Sequence, residues 1–156
     1  MIDAGALQMM EPEWIPQGAI LTPHHKEYEY LRTKIQSPND NSNPKFKDQK
    51  EEIKYIAEKY KCTVLLKGKE DIVVSKDNLE IIKGGNAGMT KGGTGDVLAG
   101  LVGALYTKND SFTSAVAASY INKKAGEDLY KKMGLWFNSS DLADQIPQTM
   151  KKLLVS

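Results

Sequence analysis

Between residues 84 and 96 the chain concentrates six of its 13 glycines and follows them with an acid: Gly84, Gly85, Gly88, Gly92, Gly93 and Gly95, then Asp96. The segment Gly92-Gly93-Thr94-Gly95-Asp96 runs directly into a periodic apolar stretch, with Val97, Leu98, Leu101, Val102 and Leu105 on one helical face. A glycine-rich turn feeding a helix N-terminus is an anion trap. Glycines let the backbone approach a phosphate, and the unpaired amides of the first turn point at it. The helix dipole contributes about 0.3–1 kcal/mol per favourable charge. Asp96 does not fit that picture by charge, because a carboxylate repels the anion. It is either a helix-start aspartate interacting with the dipole, or a general base taking a proton from a hydroxyl that attacks phosphorus. Residue type leaves both readings open. The loop is not a Walker A motif, since Lys91 precedes the glycines, and it lacks the G-x-G-x-x-G dinucleotide pattern.

Little else in the chain has reactive chemistry. Cys62, the one cysteine, lies in the apolar run Lys61-Cys62-Thr63-Val64-Leu65-Leu66 and reads as a small buried hydrophobe. His24 and His25 are the only histidines. His24 follows Pro23 at a strand end, where a histidine caps the next helix or serves a loop site. Lys67 reads from the sequence as a solvated lysine before a turn, and Lys69 and Glu70 as solvent-facing. The formal net charge of +1 gives no global case for nucleic acid or membrane partners. The first residues carry Asp3 and Glu11 and show no basic start with an apolar run, so a cytoplasmic setting is expected.

These residues need a scaffold, and the pattern predicts an α/β one. A length of 156 residues, 40% of them hydrophobic and 26% charged, suits one globular domain. Ala19–Thr22 reads as a buried strand stopped by Pro23, and residues 25–33 as a helix. Residues 36–45 read as a surface loop. Lys47–Tyr60 reads as a helix through Ile53, Ile56, Ala57 and Tyr60. Thr63–Leu66 reads as a strand, and Asp71–Ser75 with Leu79–Lys83 as a hairpin around Lys76-Asp77-Asn78. A helix is expected over Thr94–Thr107, another after Asn109-Asp110-Ser111, and a last one over Ser140–Leu154 with Ser139 or Ser140 as its cap and a bend at Pro147. The strand count is short for a doubly wound sheet, and the chain opens at Met1-Ile2-Asp3, where a strand end would sit. The expectation is therefore part of a larger domain, with an apolar edge or face covered by another chain.

A family resemblance ties these segments together. The run Gly85-Asn86-Ala87-Gly88-Met89 through Gly92-Gly93-Thr94-Gly95-Asp96-Val97-Leu98-Ala99-Gly100 resembles the GNPGM…GGTGDVL(A/T)G segment of the ADP/ATP-dependent NAD(P)H-hydrate dehydratases, members of the ribokinase-like superfamily. Ile2-Asp3-Ala4-Gly5-Ala6-Leu7 is similar to their IDADAL, residues 20–27 to their LTPHPGE region, and Val64-Leu65-Leu66-Lys67-Gly68 to their VLLKG strand. The chain departs from the family at Gly5, at His25-Lys26 and at Ala87. It also lacks anything like the family's N-terminal half.

The resemblance implies a layered α/β/α fold, with residues 1–156 forming a single, partial, ribokinase-like nucleotide-binding domain. It implies phosphorylation of the ring hydroxyl of hydrated NADH or NADPH, then phosphate loss that restores the dinucleotide. ADP or ATP would be the donor, with Mg2+. Asp96 would be the catalytic base and contact the substrate. Lys67, Gly68, Lys69, Glu70 and Asp71, with Gly92, Gly93, Thr94 and Gly95, would bind the nucleotide. His24 would contact the hydrated dinucleotide. A homo-oligomer, or a chain supplying the missing half, would complete the pocket. The alternatives are a small-molecule kinase of the hydroxymethylpyrimidine or hydroxyethylthiazole type, and a nucleotide-binding remnant without turnover. The GNxGM run and the LTPH segment favour the dehydratase.

Overall fold

The computed structural model describes residues 1–35 and 45–155; most of the loop expected over residues 36–45 lies outside them. The chain is mixed α/β and divides into two compact units, Met1–Ile81 and Ile82–Ser156. Among the described residues no helix is long and apolar enough to cross a membrane.

The first unit carries α1 (Gly5–Met9), β1 (Ile20–Leu21), α2 (His25–Ile35), α3 (Gln49–Lys59), β2 (Thr63–Leu66) and β3 (Asp71–Val74), and most of β4 (Leu79–Ile82). The strands lie in the order β1-β2-β3-β4. β1 runs parallel to β2, with Ile20 opposite Thr63, and β3 antiparallel to β2, with Leu65 opposite Val73. The hairpin closes through the Ser75 amide, which donates to the Asn78 carbonyl at 2.9 Å. On its other side β1 meets Ile2, whose amide donates to the Ile20 carbonyl at 2.8 Å. Every residue of β1 and β2 is buried, as unbroken apolar runs require. Leu7, Tyr28, Leu31, Ile53, Ile56 and Ala57 pack with them. α3 starts two residues later than the expected Lys47 because Asp48 is its cap, its carboxylate accepting from the Glu51 amide at 2.9 Å. Cys62 is buried, and burial pushes its thiol up to about 12, which makes it inert as expected.

The second unit is helical: α4 (Thr94–Tyr106), α5 (Ser111–Met133) and α6 (Ser139–Leu154). Phe137, Leu142, Ile146, Ile121, Ala125 and Leu129 form its core, with Val97, Leu101 and Leu105 packed against them. The periodic face read in the sequence is thus the buried face of α4, and the helix begins and ends where expected, with Thr107 as its C-cap. α6 continues through Pro147. Its cap differs from the serines expected. The Asn138 side chain accepts from the amides of Ser140 and Asp141 at 2.8 and 3.1 Å, and Asp141 accepts from the Asn138 amide at 2.8 Å. A carboxamide one position earlier reaches both free amides, so the two serines fall inside the first turn.

Candidate active site

The glycine-rich loop is built as a rigid cradle. Asn86 starts a short 3-10 turn over Ala87–Thr90. Its side-chain oxygen accepts from the Gly88 amide at 2.9 Å, and its side-chain nitrogen donates to the Gly126 carbonyl on α5 at 2.8 Å. Gly88 lies against the Phe137 ring, so closely that a Cβ there would stand 2.6 Å from it. Lys91 reaches the loop before α6, donating to the carbonyls of Leu135 and, at 2.6 Å, Phe137. The Thr94 hydroxyl lies within hydrogen-bond reach of two loop carbonyls, Met89 at 2.6 Å and Lys91 at 2.8 Å. Thr94 is buried and ties the loop from inside.

Gly93 caps α4 in the left-handed region, with φ 86 and ψ −17. That conformation is costly for any residue with a side chain. Space forbids one too: a Cβ on Gly93 would lie 2.7 Å from the Ser139 hydroxyl. A glycine cap brings no side chain to the first turn. Among the described residues the amides of Gly93, Gly95 and Asp96 donate to no acceptor. The space beside Gly92 is open. Asp96 occupies the third position of α4, exposed, and among the described residues its carboxylate accepts no hydrogen bond and joins no ion pair. It is not serving as a helix cap.

The first unit gathers the other resembling segments. His24 lies opposite Lys67 in a parallel bridge, and the Lys67 amide donates to the Pro23 carbonyl at 2.8 Å. Lys67 is not the solvated lysine that the sequence suggests. Its ammonium, 18% exposed, donates to Asp3 at 2.8 Å and stands 3.9 Å from Glu27. So Ile2-Asp3, His24-Glu27 and Lys67 meet at one corner of the sheet. The turn after β2 is closed by Asp71, buried, whose carboxylate accepts from the Gly68 amide at 2.9 Å. Lys69 and Glu70 are exposed, as read. His24 does cap α2: its Nδ1 accepts from the Glu27 amide at 3.1 Å, and Glu27 accepts from the His24 amide at 2.8 Å. Its side chain remains half exposed and borders a cleft of about 330 Å³ with Gln8, Lys26, Glu27 and Tyr30.

Residues 1–148 match the family model described as NAD(P)H-hydrate dehydratase. The chain belongs to that family. Its membership accounts for all four motif segments at once, and the fold is ribokinase-like. A "Bifunctional NAD(P)H-hydrate repair enzyme Nnr" of Methanocaldococcus jannaschii is 40% identical over 153 residues, covering 97% of this chain and 27% of the relative. An "ADP-dependent (S)-NAD(P)H-hydrate dehydratase" of Nitrosopumilus maritimus is 37% identical over 96% of this chain and 51% of the relative. The solved ADP/ATP-dependent NAD(P)H-hydrate dehydratase of Bacillus subtilis, co-crystallised with ATP/Mg2+, superposes with TM-score 0.74 at 25% identity, over 96% of this chain and 53% of that one. The chain therefore spans about half, or less, of the length of the relatives it matches.

Two residues of this NAD(P)H-hydrate dehydratase family corner escape a reading by chemistry alone: Asp3 and Glu27. Glu27 carries a detectable signal, since an acid three residues after a helix-start cap is the spacing of a capping box. Asp3 carries none, because its partner is 64 residues away.

Proposed function

We propose that this chain carries the phosphoryl-transfer step of ADP-dependent repair of hydrated NADH and NADPH. The observation that carries the proposal is the Asp96 carboxylate: exposed, unbonded, and placed in the first turn after the glycine loop. Asp96 accepts the proton of the ring hydroxyl as its oxygen attacks the terminal phosphorus of ADP or ATP. The bond from that phosphorus to the leaving nucleotide breaks, and the free amides of Gly93, Gly95 and Asp96 hold the charge of the migrating group. The carbon–oxygen bond then breaks with its electron pair leaving on phosphate, and the neighbouring ring carbon loses a proton, restoring the dinucleotide. Lys67–Asp71 and Gly92–Gly95 bind the nucleotide, and His24 contacts the hydrated dinucleotide.

Magnesium in such reactions is held mostly by the phosphates and water, with one or two carboxylates, and neutralises phosphate charge. Among the described residues no three His, Cys, Asp or Glu side chains cluster so as to hold a metal ion. An oligomer or a second chain contributing to the dinucleotide pocket, and a cytoplasmic setting, belong to the same reading. Family membership favours it over a small-molecule kinase. The test is incubation of the chain with hydrated NADH and either ADP or ATP, following the absorbance of reduced nicotinamide. Nucleotide-dependent recovery is expected. Absence of recovery in a chain that binds ADP points to a nucleotide-binding remnant.

A further inference from the structure

We infer that Glu27 is a positioning residue: it locks the His24 imidazole as its neutral Nε2–H tautomer, so that His24 presents a hydrogen-bond donor to the cleft. Two contacts to one ring support this. Nδ1 already accepts the Glu27 amide at 3.1 Å, so in the neutral ring the proton sits on the other nitrogen. Nε2 faces the Glu27 carboxylate at 3.5 Å, which favours a proton there yet is too long for a direct hydrogen bond. The Nε2–H therefore remains available to an acceptor in the cleft lined by Gln8, Lys26 and Tyr30.

Glu27 can hold the ring because it is itself held. It is buried, its other oxygen accepts from the His24 amide at 2.8 Å, and Lys67 stands 3.9 Å away with its charge shared with Asp3 at 2.8 Å. Asp3, Lys67, Glu27 and His24 thus form a relay of position from the start of the chain to the imidazole, in the way that a carboxylate behind a histidine fixes its tautomer elsewhere. The inference rests on the proposed function only for the identity of the acceptor, an oxygen of the hydrated dinucleotide.

The test is the 15N spectrum of the imidazole nitrogens in the full 156-residue chain at about pH 8, above the ordinary histidine range. With only His24 and His25 present, each histidine variant assigns the other. His24 should show separate signals for a protonated Nε2 and an unprotonated, hydrogen-bonded Nδ1. Glu27→Gln, which keeps an acceptor for the His24 amide, should retain them. Glu27→Ala keeps the backbone amide but removes the carboxylate that faces Nε2 and holds the His24 amide. With the ring no longer held in place, both signals should move toward the averaged positions of a free histidine and KM for hydrated NADH should rise about tenfold, the loss of one hydrogen bond, with kcat little changed. Averaged signals in the unaltered chain, or an unprotonated Nε2, would overturn the tautomer assignment. Unaltered signals in Glu27→Ala would overturn the role of Glu27. Averaged signals with an unchanged KM would uphold both and contradict the reading of His24 as the dinucleotide contact.

Discussion

α4 and α6 each place an aspartate at the third position of the first turn, and the two aspartates do different things. In α6 the cap residue Asn138 is extended, with φ −115 and ψ −174, so its amide faces Asp141 and the pair closes a capping box. In α4 the cap residue Gly93 is left-handed, and no such bond forms with Asp96. The starts of α3 and α5 follow α6 in engaging their acids: Asp48 accepts from Glu51 and Asp110 from Thr113, each at 2.9 Å. One helix start therefore gives up local stabilisation that three others take. Departures of this kind from local rules concentrate at functional sites. The dipole reading of Asp96 alone does not explain why the loop before it is held by Asn86, Lys91 and Thr94 in a cap conformation that leaves the carboxylate free.

The contrast can be broken experimentally. The largest effect belongs to Asp96→Asn, which keeps size and removes the base. Turnover should fall about 10²–10⁴-fold, read from the nicotinamide absorbance assay, while stability to urea stays within about 0.5 kcal/mol. Gly93→Ala comes next. The left-handed conformation costs a side chain about 1–2 kcal/mol, and the contact with Ser139 adds to it. Urea titration should show this loss, and Gly93→Ala with Ser139→Gly should recover only the steric part. Asn138→Ala should cost about 1 kcal/mol by the same titration and leave the nucleotide affinity unchanged. The smallest effect concerns pH. The amide of Thr113 holds the Asp110 carboxyl below its ordinary range. Its folded value is depressed, so its contribution is present above the unfolded carboxyl range and is lost as pH falls through the folded one. Asp110→Ala should accordingly flatten the acid side of the stability–pH curve slightly, measured by thermal unfolding.

Much of the scaffold behind this contrast is local and was legible in the sequence. The glycine cluster with the period of Val97, Leu98, Leu101 and Val102 places the start of α4, and the apolar run at residues 63–66 with the turn at Lys76-Asp77-Asn78 places β2 and the hairpin. What stayed hidden depends on partners far along the chain. Ser139 blocks a side chain on Gly93 from 46 positions away, Phe137 does the same to Gly88 from 49, and Lys67 finds Asp3 across 64. Periodicity carries no signal for such meetings. The cap of α6 was misplaced for a smaller reason: serine and asparagine are both good caps, and only the geometry shows that Asn138 reaches two amides at once.

The most direct test of the role given to Asp96 is the affinity of Asp96→Asn for ADP, measured by calorimetry beside the unaltered chain. If the carboxylate acts on the attacking hydroxyl, the variant binds ADP as tightly or more tightly, since one negative charge near the phosphates has gone, even as turnover is lost. A fall in ADP affinity matching the fall in turnover would show that Asp96 serves to hold the loop or the nucleotide, and would contradict its assignment as the base.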